Sequence, residues 1–172
     1  MGRPSDAFRI MRERGLGITD ANLERIPVGM IEQSGADQDA DGLADAMEVA
    51  VGTDFLLADT EADGHDDRTE ILAGYDPLKG NGARLSFDLA FTAKQAGRIL
   101  LQVERNGEAW YVNPADQKRY FLGRPADAFA VMRTTGVGIS NSDLSLVQSS
   151  SDNPLSTPLT PSTVSLQDLK AT

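Results

Sequence analysis

The chain has 172 residues, no cysteine, 6% aromatic residues and a formal net charge of −10. The missing thiols exclude disulfides, thiolate nucleophiles and zinc–thiolate sites, while the sparse aromatics point to small local cores. With no basic stripe to neutralise phosphates and no run of about 18 apolar residues, neither nucleic acid binding nor a membrane span is expected.

No basic-then-apolar leader opens the sequence, so a signal peptide is expected to lie outside it or to be absent. Residues 2–18, GRPSDAFRIMRERGLGI, recur as residues 123–139, GRPADAFAVMRTTGVGI, at an offset of 121, and Leu23 and Leu144 extend the match. Each copy is written like a short helix, with proline in the first turn, apolar positions three and four apart, and glycine at the C-terminal cap. Residues 1–27 thus read as the C-terminal half of a repeated module. Its apolar face (Phe8, Ile10, Met11, Leu16, Ile18) needs a cover. A linker over 28–36 leads to an acidic segment over 37–80. A helical connector over 81–97 follows, with a helix at 86–96 stopped by Gly97.

The second copy has strands upstream of it. Residues 98–104 and 109–113 flank Asn106-Gly107, a strong hairpin turn signal. A turn over Pro114–Gln117 leads to a third strand, Lys118–Leu122. Residues 98–148 are therefore predicted to form a three-stranded antiparallel meander plus helix, with a core drawn from Leu100, Val103, Trp110, Val112, Tyr120, Phe129, Val131 and Met132. Residues 149–172 are a Ser/Thr/Pro-rich linker or tail. The expected fold class is α+β: the small three-stranded antiparallel meander with its helix, joined to the acidic segment, which is expected to form two loops with short helices. The simplest account of the repeat is that this chain is a slice of a longer tandem array. A neighbouring subunit supplying the missing strands is the other account.

The charge is concentrated. Residues 37–76 hold 13 acids against one base, Arg68, which leaves 13 acids and 15 bases in the rest of the chain. Within that segment two twelve-residue loops start 22 residues apart, at Asp37 and Asp59. The first places Asp37, Asp39, Asp41, Asp45 and Glu48 at loop positions 1, 3, 5, 9 and 12, and the second places Asp59, Glu61, Asp63, Asp67 and Glu70 at the same positions. Gly42 and Gly64 stand at position 6, and Leu43 and His65 at position 7, where the backbone carbonyl is the ligand. Calcium takes about six to eight hard oxygen ligands, and a tightly wound loop turns alternate side chains inward to supply them. A glycine after the third carboxylate permits the sharp turn. Two ions are expected. Like charges about 4 Å apart repel by up to roughly 4 kcal/mol per pair at an effective dielectric of 20, so this segment is expected to order with calcium.

The helices leaving these loops are short, Asp45–Val51 and Asp67–Ala73, and no full helix enters either loop. With GTDF at Gly52–Phe55 and GYDP at Gly74–Pro77 closing the two units, residues 35–80 resemble the bacterial thrombospondin type-3-like calcium repeats. Phe55 stands where that family usually has proline, Ala46-Met47 where it has Gly-Glu, and Glu61 where it has aspartate at position 3. The resemblance implies a short calcium-bound rod on a secreted or cell-surface protein. Dockerins also pair such loops but carry aspartate at position 12, unlike Glu48 and Glu70. The flanking module resembles a repeat found beside such calcium segments in bacterial surface proteins, which bears on location more than on function.

Catalysis is not expected. His65 is the single histidine and sits inside a calcium loop, and the abundant carboxylates lie in metal loops with no pocket-sized domain around them. Trp110, Tyr111 and Tyr120 on adjacent strands are candidates for stacking on a cell-wall glycan, with Tyr111 on the face opposite Trp110 and Val112. Core or cross-strand pairing is the commoner role for such residues. A third reading is assembly with copies of itself or other surface proteins into an S-layer-like lattice or filament, dependent on calcium.

Overall fold

A computed structural model describes residues 15–136 and 140–146. The chain divides into two compact units, residues 1–136 and 137–172. Residues 1–14, which hold most of the helix-like segment expected over 2–18, the stretch 137–139 and the tail from 147 onward lie outside the described residues. In the first unit the elements are β1 (Leu16–Ile18), α1 (Asp20–Leu23), α2 (Asp45–Val51), α3 (Asp67–Ala73), α4 (Leu89–Gln95), β2 (Ile99–Gln102), β3 (Ala109–Asn113), β4 (Lys118–Phe121) and α5 (Pro125–Thr135). The second unit contributes α6 (Asn141–Leu144), capped by the Ser140 hydroxyl.

The turn-rich stretch after Gly97 folds as its turn residues dictate. β2 and β3 pair antiparallel, with Leu100 opposite Trp110, and β3 pairs with β4, with Tyr111 opposite Tyr120. Gly107 takes a left-handed φ of 84° at the first turn, and Gln117 takes 56° at the second. The α+β class holds, but the sheet has four strands in the order β1-β2-β3-β4 and is not the three-stranded antiparallel meander. The fourth strand comes from the first repeat copy and runs parallel to β2, with Gly17 opposite Leu101.

Residues 15–18 therefore extend a sheet where a glycine-capped helix end was expected. The approach is close: a Cβ on Gly17 would lie 2.8 Å from Val103 Cγ1, so a side chain there would require Val103 to shift. The Val103 amide then donates to the Ile18 carbonyl at 3.1 Å. Farther on, the Arg119 amide donates to the Pro27 carbonyl and the Gly29 amide to the Arg119 carbonyl, both at 2.8 Å. One continuous stretch, 16–29, thus covers the β2 edge and the β4 edge of the meander. Covered edges leave fewer unpaired backbone groups for stray pairing.

A single core joins this stretch, the acidic segment and the sheet. Ile18, Leu23, Ile26 and Val28 pack with Leu43, Met47, Ala50 and Ile71 and with Leu100, Trp110, Val112 and Phe121. At its centre Gln102 is buried. Its Oε1 accepts from Trp110 Nε1 at 2.8 Å, and its Nε2 donates to Asp20 Oδ1 and to the Ala50 carbonyl, each at 3.0 Å. Arg119 is also buried, with its guanidinium 4.7 Å from the centre of the Trp110 ring. Its Nε and Nη1 have no hydrogen-bond partner, and burial lowers its pKa to about 9.

The other face of the sheet carries a smaller cluster of Tyr120, Leu122 and Val131, flanked by Tyr111 and Ala128. Asp127 fixes the start of α5 by accepting from the Arg124 amide at 2.9 Å. The same carboxylate accepts from the Ser34 amide and hydroxyl at 2.7 and 2.8 Å. Three expected core residues stand outside: Val103, Phe129 and Met132 are 61%, 54% and 57% exposed. Period-two and helical spacing place residues on a common face, but nothing among the described residues covers that face.

Because Leu23 is buried in the shared core, Leu23→Ala is expected to lower stability by about 2–5 kcal/mol through lost burial and the cavity left behind. A urea titration followed by Trp110 fluorescence measures it.

Candidate metal-binding loops

The two loops repeat one wiring diagram. Each is closed at its base by a backbone bond from position 9 to the residue before position 1: Asp45 amide to Ala36 carbonyl at 2.9 Å, Asp67 amide to Ala58 carbonyl at 3.0 Å. Position 1 accepts from the position 6 amide, Gly42 to Asp37 Oδ2 at 3.1 Å and Gly64 to Asp59 Oδ2 at 2.7 Å. Position 5 accepts from the position 7 amide, Leu43 to Asp41 Oδ1 at 2.6 Å and His65 to Asp63 Oδ1 at 3.2 Å. Carboxylates that accept backbone amides in this way wind the loop inward on itself.

The winding needs two left-handed residues per loop. Gly42 and Gly64 have φ of 95° and 98°, as position 6 requires. Ala40 and Ala62 at position 4 have φ of 64° and 59°. An alanine in that region is strained by order of 1 kcal/mol, and no feature of the sequence marks it.

The side chains expected to act together are brought together in large part. Ligand oxygens of Asp37, Asp39 and Asp41 lie within 4.8 Å of one another, as do those of Asp59, Glu61 and Asp63, and those of Glu61, Asp67 and Glu70. The position 9 carboxylates also work as braces. Asp45 accepts from the Gln38 amide and side chain at 3.0 and 2.6 Å, and Asp67 from the Thr60 amide and hydroxyl at 3.0 and 2.7 Å. Both ties run from position 9 to position 2. Leu43, expected to serve through its carbonyl, also sends its side chain into the core, while the His65 side chain is exposed.

Glu48 and Glu70 stand in the first turns of α2 and α3 and are only 0% and 3% exposed. Glu48 Oε2, Glu70 Oε2, Asp39 Oδ2 and both carboxylate oxygens of Glu61 are buried with no hydrogen-bond partner. Burial raises the Glu48 pKa to about 8, helped by the charges of Asp39 and Asp41. Glu70 is likewise raised to about 8, by burial and then by Glu61 and Asp63. Burial raises Asp41 and Asp67 too. Buried, unpartnered carboxylate oxygens facing other acids are a donor set that fits a hard cation. The loops also touch: the Arg68 amide at the start of α3 donates to Asp41 Oδ2 of the first loop at 3.2 Å.

The aromatic candidates lie elsewhere. Trp110 is fully buried, its ring centre 5.2 Å from that of Phe121, and offers no stacking face. Tyr120 is buried over Gly29, and its hydroxyl donates to Asp116 Oδ2 at 2.5 Å. Tyr111 is half-buried beside α5. No protein-family model matches the chain, and no curated protein or solved structure matches it.

The raised glutamates set a pH dependence in chelator. Between the ordinary value of 4.5 and about 8, the folded chain holds protons on Glu48 and Glu70 that the unfolded chain has released. Their stabilising contribution is complete below the unfolded value and is lost as pH rises through the folded one. The urea midpoint of the metal-free chain is therefore expected to be lower at pH 8.5 than at pH 5.5. Glu48→Gln with Glu70→Gln is expected to flatten that slope.

Proposed function

We propose that each loop holds one calcium ion and that the chain is a calcium-stiffened structural or adhesive module of a secreted or cell-surface protein, without catalysis. The observation that carries this reading is the pair of buried glutamates, Glu48 and Glu70, each with an unpartnered oxygen at the position 12 corner of an identically wound loop. The first ion takes Asp37, Asp39, Asp41, Glu48 and the Leu43 carbonyl, and the second takes Asp59, Glu61, Asp63, Glu70 and the His65 carbonyl. Asp45 and Asp67 brace their loops from position 9.

The donor set is all oxygen, which selects calcium or magnesium over zinc or copper. Magnesium demands near-ideal octahedral geometry and gives up its waters reluctantly, whereas four carboxylate side chains with a carbonyl suit the larger, more permissive ion. Bound calcium replaces carboxylate repulsion with attraction, and α2 and α3 pass the gain to the shared core through Met47, Ala50 and Ile71. The ion is then part of the building material and not a signal that opens a groove.

A second reading, calcium-dependent assembly of copies, is favoured by Phe129 and Met132. Both are exposed on α5, and both recur in the other repeat copy as Phe8 and Met11.

Calorimetric titration of the chelator-treated chain is expected to show two calcium ions binding at about 10⁻⁴ to 10⁻³ M, the range of extracellular modules. Glu48→Gln and Glu70→Gln are each expected to remove one ion. Circular dichroism in the same titration reports the gain of structure, and light scattering separates a monomer from a calcium-driven assembly. A chain that binds no calcium in the millimolar range overturns the reading.

A further inference from the structure

Arg68 is the one base among residues 37–76, and it forms no ion pair with the 13 acids of that segment. The ion pairs among the described residues belong to Arg25, Lys79 and Arg105. Even Asp66, two residues earlier, is held by the Thr69 amide and hydroxyl instead. Arg68 stands at position 10 of the second loop, as the second residue of α3, yet it reaches the first loop. Its amide donates to Asp41 Oδ2 at 3.2 Å, which fixes its backbone beside position 5 of that loop. Its side chain then lies along Gly42. A Cβ added at Gly42 would stand 3.0 Å from Arg68 Cδ and 3.3 Å from its Nε. Arg68 is exposed there and borders a cleft with Asp37 and Gly42.

The second loop has no counterpart to this contact. At Gly64, the residue equivalent to Gly42, an added Cβ would meet nothing within 4 Å. Position 10 of the first loop is Ala46, which carries no charge. Two loops with the same wiring therefore differ in one electrostatic respect: a fixed positive charge lies against the position 6 turn of the first and not of the second.

We infer that Arg68 is a built-in counter-cation that sets the calcium affinity of the first loop and makes the two sites unequal. The inference rests on the proposed function for the identity of the ion. In the metal-free loop the guanidinium eases repulsion among Asp37, Asp39, Asp41 and Glu48. In the loaded loop the same charge opposes the divalent ion. The two effects have opposite signs, so Arg68 supports the metal-free fold while weakening the first site. The second loop then fills at lower calcium than the first. An exposed unit charge acting on a divalent ion through a water-like dielectric changes its affinity by roughly three- to tenfold.

Calorimetric calcium titration of the full chain tests this, with Glu70→Gln leaving the first loop as the site and Glu48→Gln leaving the second. Adding Arg68→Ala to Glu70→Gln is expected to tighten binding roughly three- to tenfold, and adding it to Glu48→Gln to change binding by about twofold or less. In chelator, Arg68→Ala alone is expected to lower the urea midpoint. A merely structural contact, once lost, would weaken both the fold and the site. Arg68→Lys keeps the charge and is expected to match the parent in both measurements. The difference between parent and Arg68→Ala is expected to narrow in about 1 M salt, where screening acts within about 3 Å. Should circular dichroism show that Arg68→Ala does not fold, Arg68→Gln removes the charge with less loss of packing and carries the same expectations. First-loop affinity that is unchanged or weakened in the neutral variant overturns the inference, as does an Arg68→Lys chain that behaves like the neutral one. A parent chain that binds no calcium overturns the proposed function as well, whereas calcium binding indifferent to Arg68 sinks this inference alone.

Discussion

The side-chain amide of Gln102 is the point where three separate stretches of the chain are joined. It accepts from the Trp110 indole N–H inside the sheet and donates to Asp20 at the start of α1 and to the Ala50 carbonyl on α2. A buried polar group left without its partners costs about 1–3 kcal/mol, so removing any one of the three stretches strands the amide. The first repeat copy, the acidic segment and the meander are thereby bound into one unit. The apolar contacts follow the same logic, since Met47, Ala50 and Ile71 of the acidic segment share a core with Leu23, Leu100 and Trp110.

Placing the acidic loops against that core creates an electrostatic problem with few solutions. Glu48 and Glu70 must project from the first turns of α2 and α3, because the helices are oriented by the residues they bury on their other faces. Their carboxylates then lose hydration while facing Asp39, Asp41, Glu61 and Asp63. Charge there is relieved by protons, which is what the pKa values near 8 express, or by a cation. A cation of the kind proposed would compete with protons for the same oxygens, so its binding would release them.

The loops were legible in the sequence because every determinant lies within twelve residues. Alternate acids, the position 6 glycine and the position 12 glutamate act locally, and Gly52 and Gly74 end their helices with φ of 106° and 79°, as their identity suggests. β1 was not legible. It is three residues long, its partner lies 84 positions away, and Gly15 and Gly17 read as a helix cap when the approach to Val103 is unseen. The left-handed alanines at 40 and 62 carry no mark at all, because the loop imposes their conformation. Arg119 is buried over Trp110, and nothing local in the strand Lys118–Leu122 marks it for burial. Alternation told which residues share a face, and tertiary contacts decided which faces were covered.

The sequence repeat and the folding unit are consequently out of phase. The repeated segments are 2–18 and 123–139, while the folded unit takes its first strand from one copy and its other strands from the approach to the next. Closing a long excursion costs little more than closing a short one, about 0.6 kcal/mol for each doubling of length. What decides whether β1 reaches β2 is therefore less the number of residues between them than whether those residues are ordered. Met47 and Ile71 anchor the excursion to the core, and the charge state of the loops between them sets how firmly it is held. In this arrangement the acidic segment is the brace that keeps a strand from one repeat on the sheet of the next.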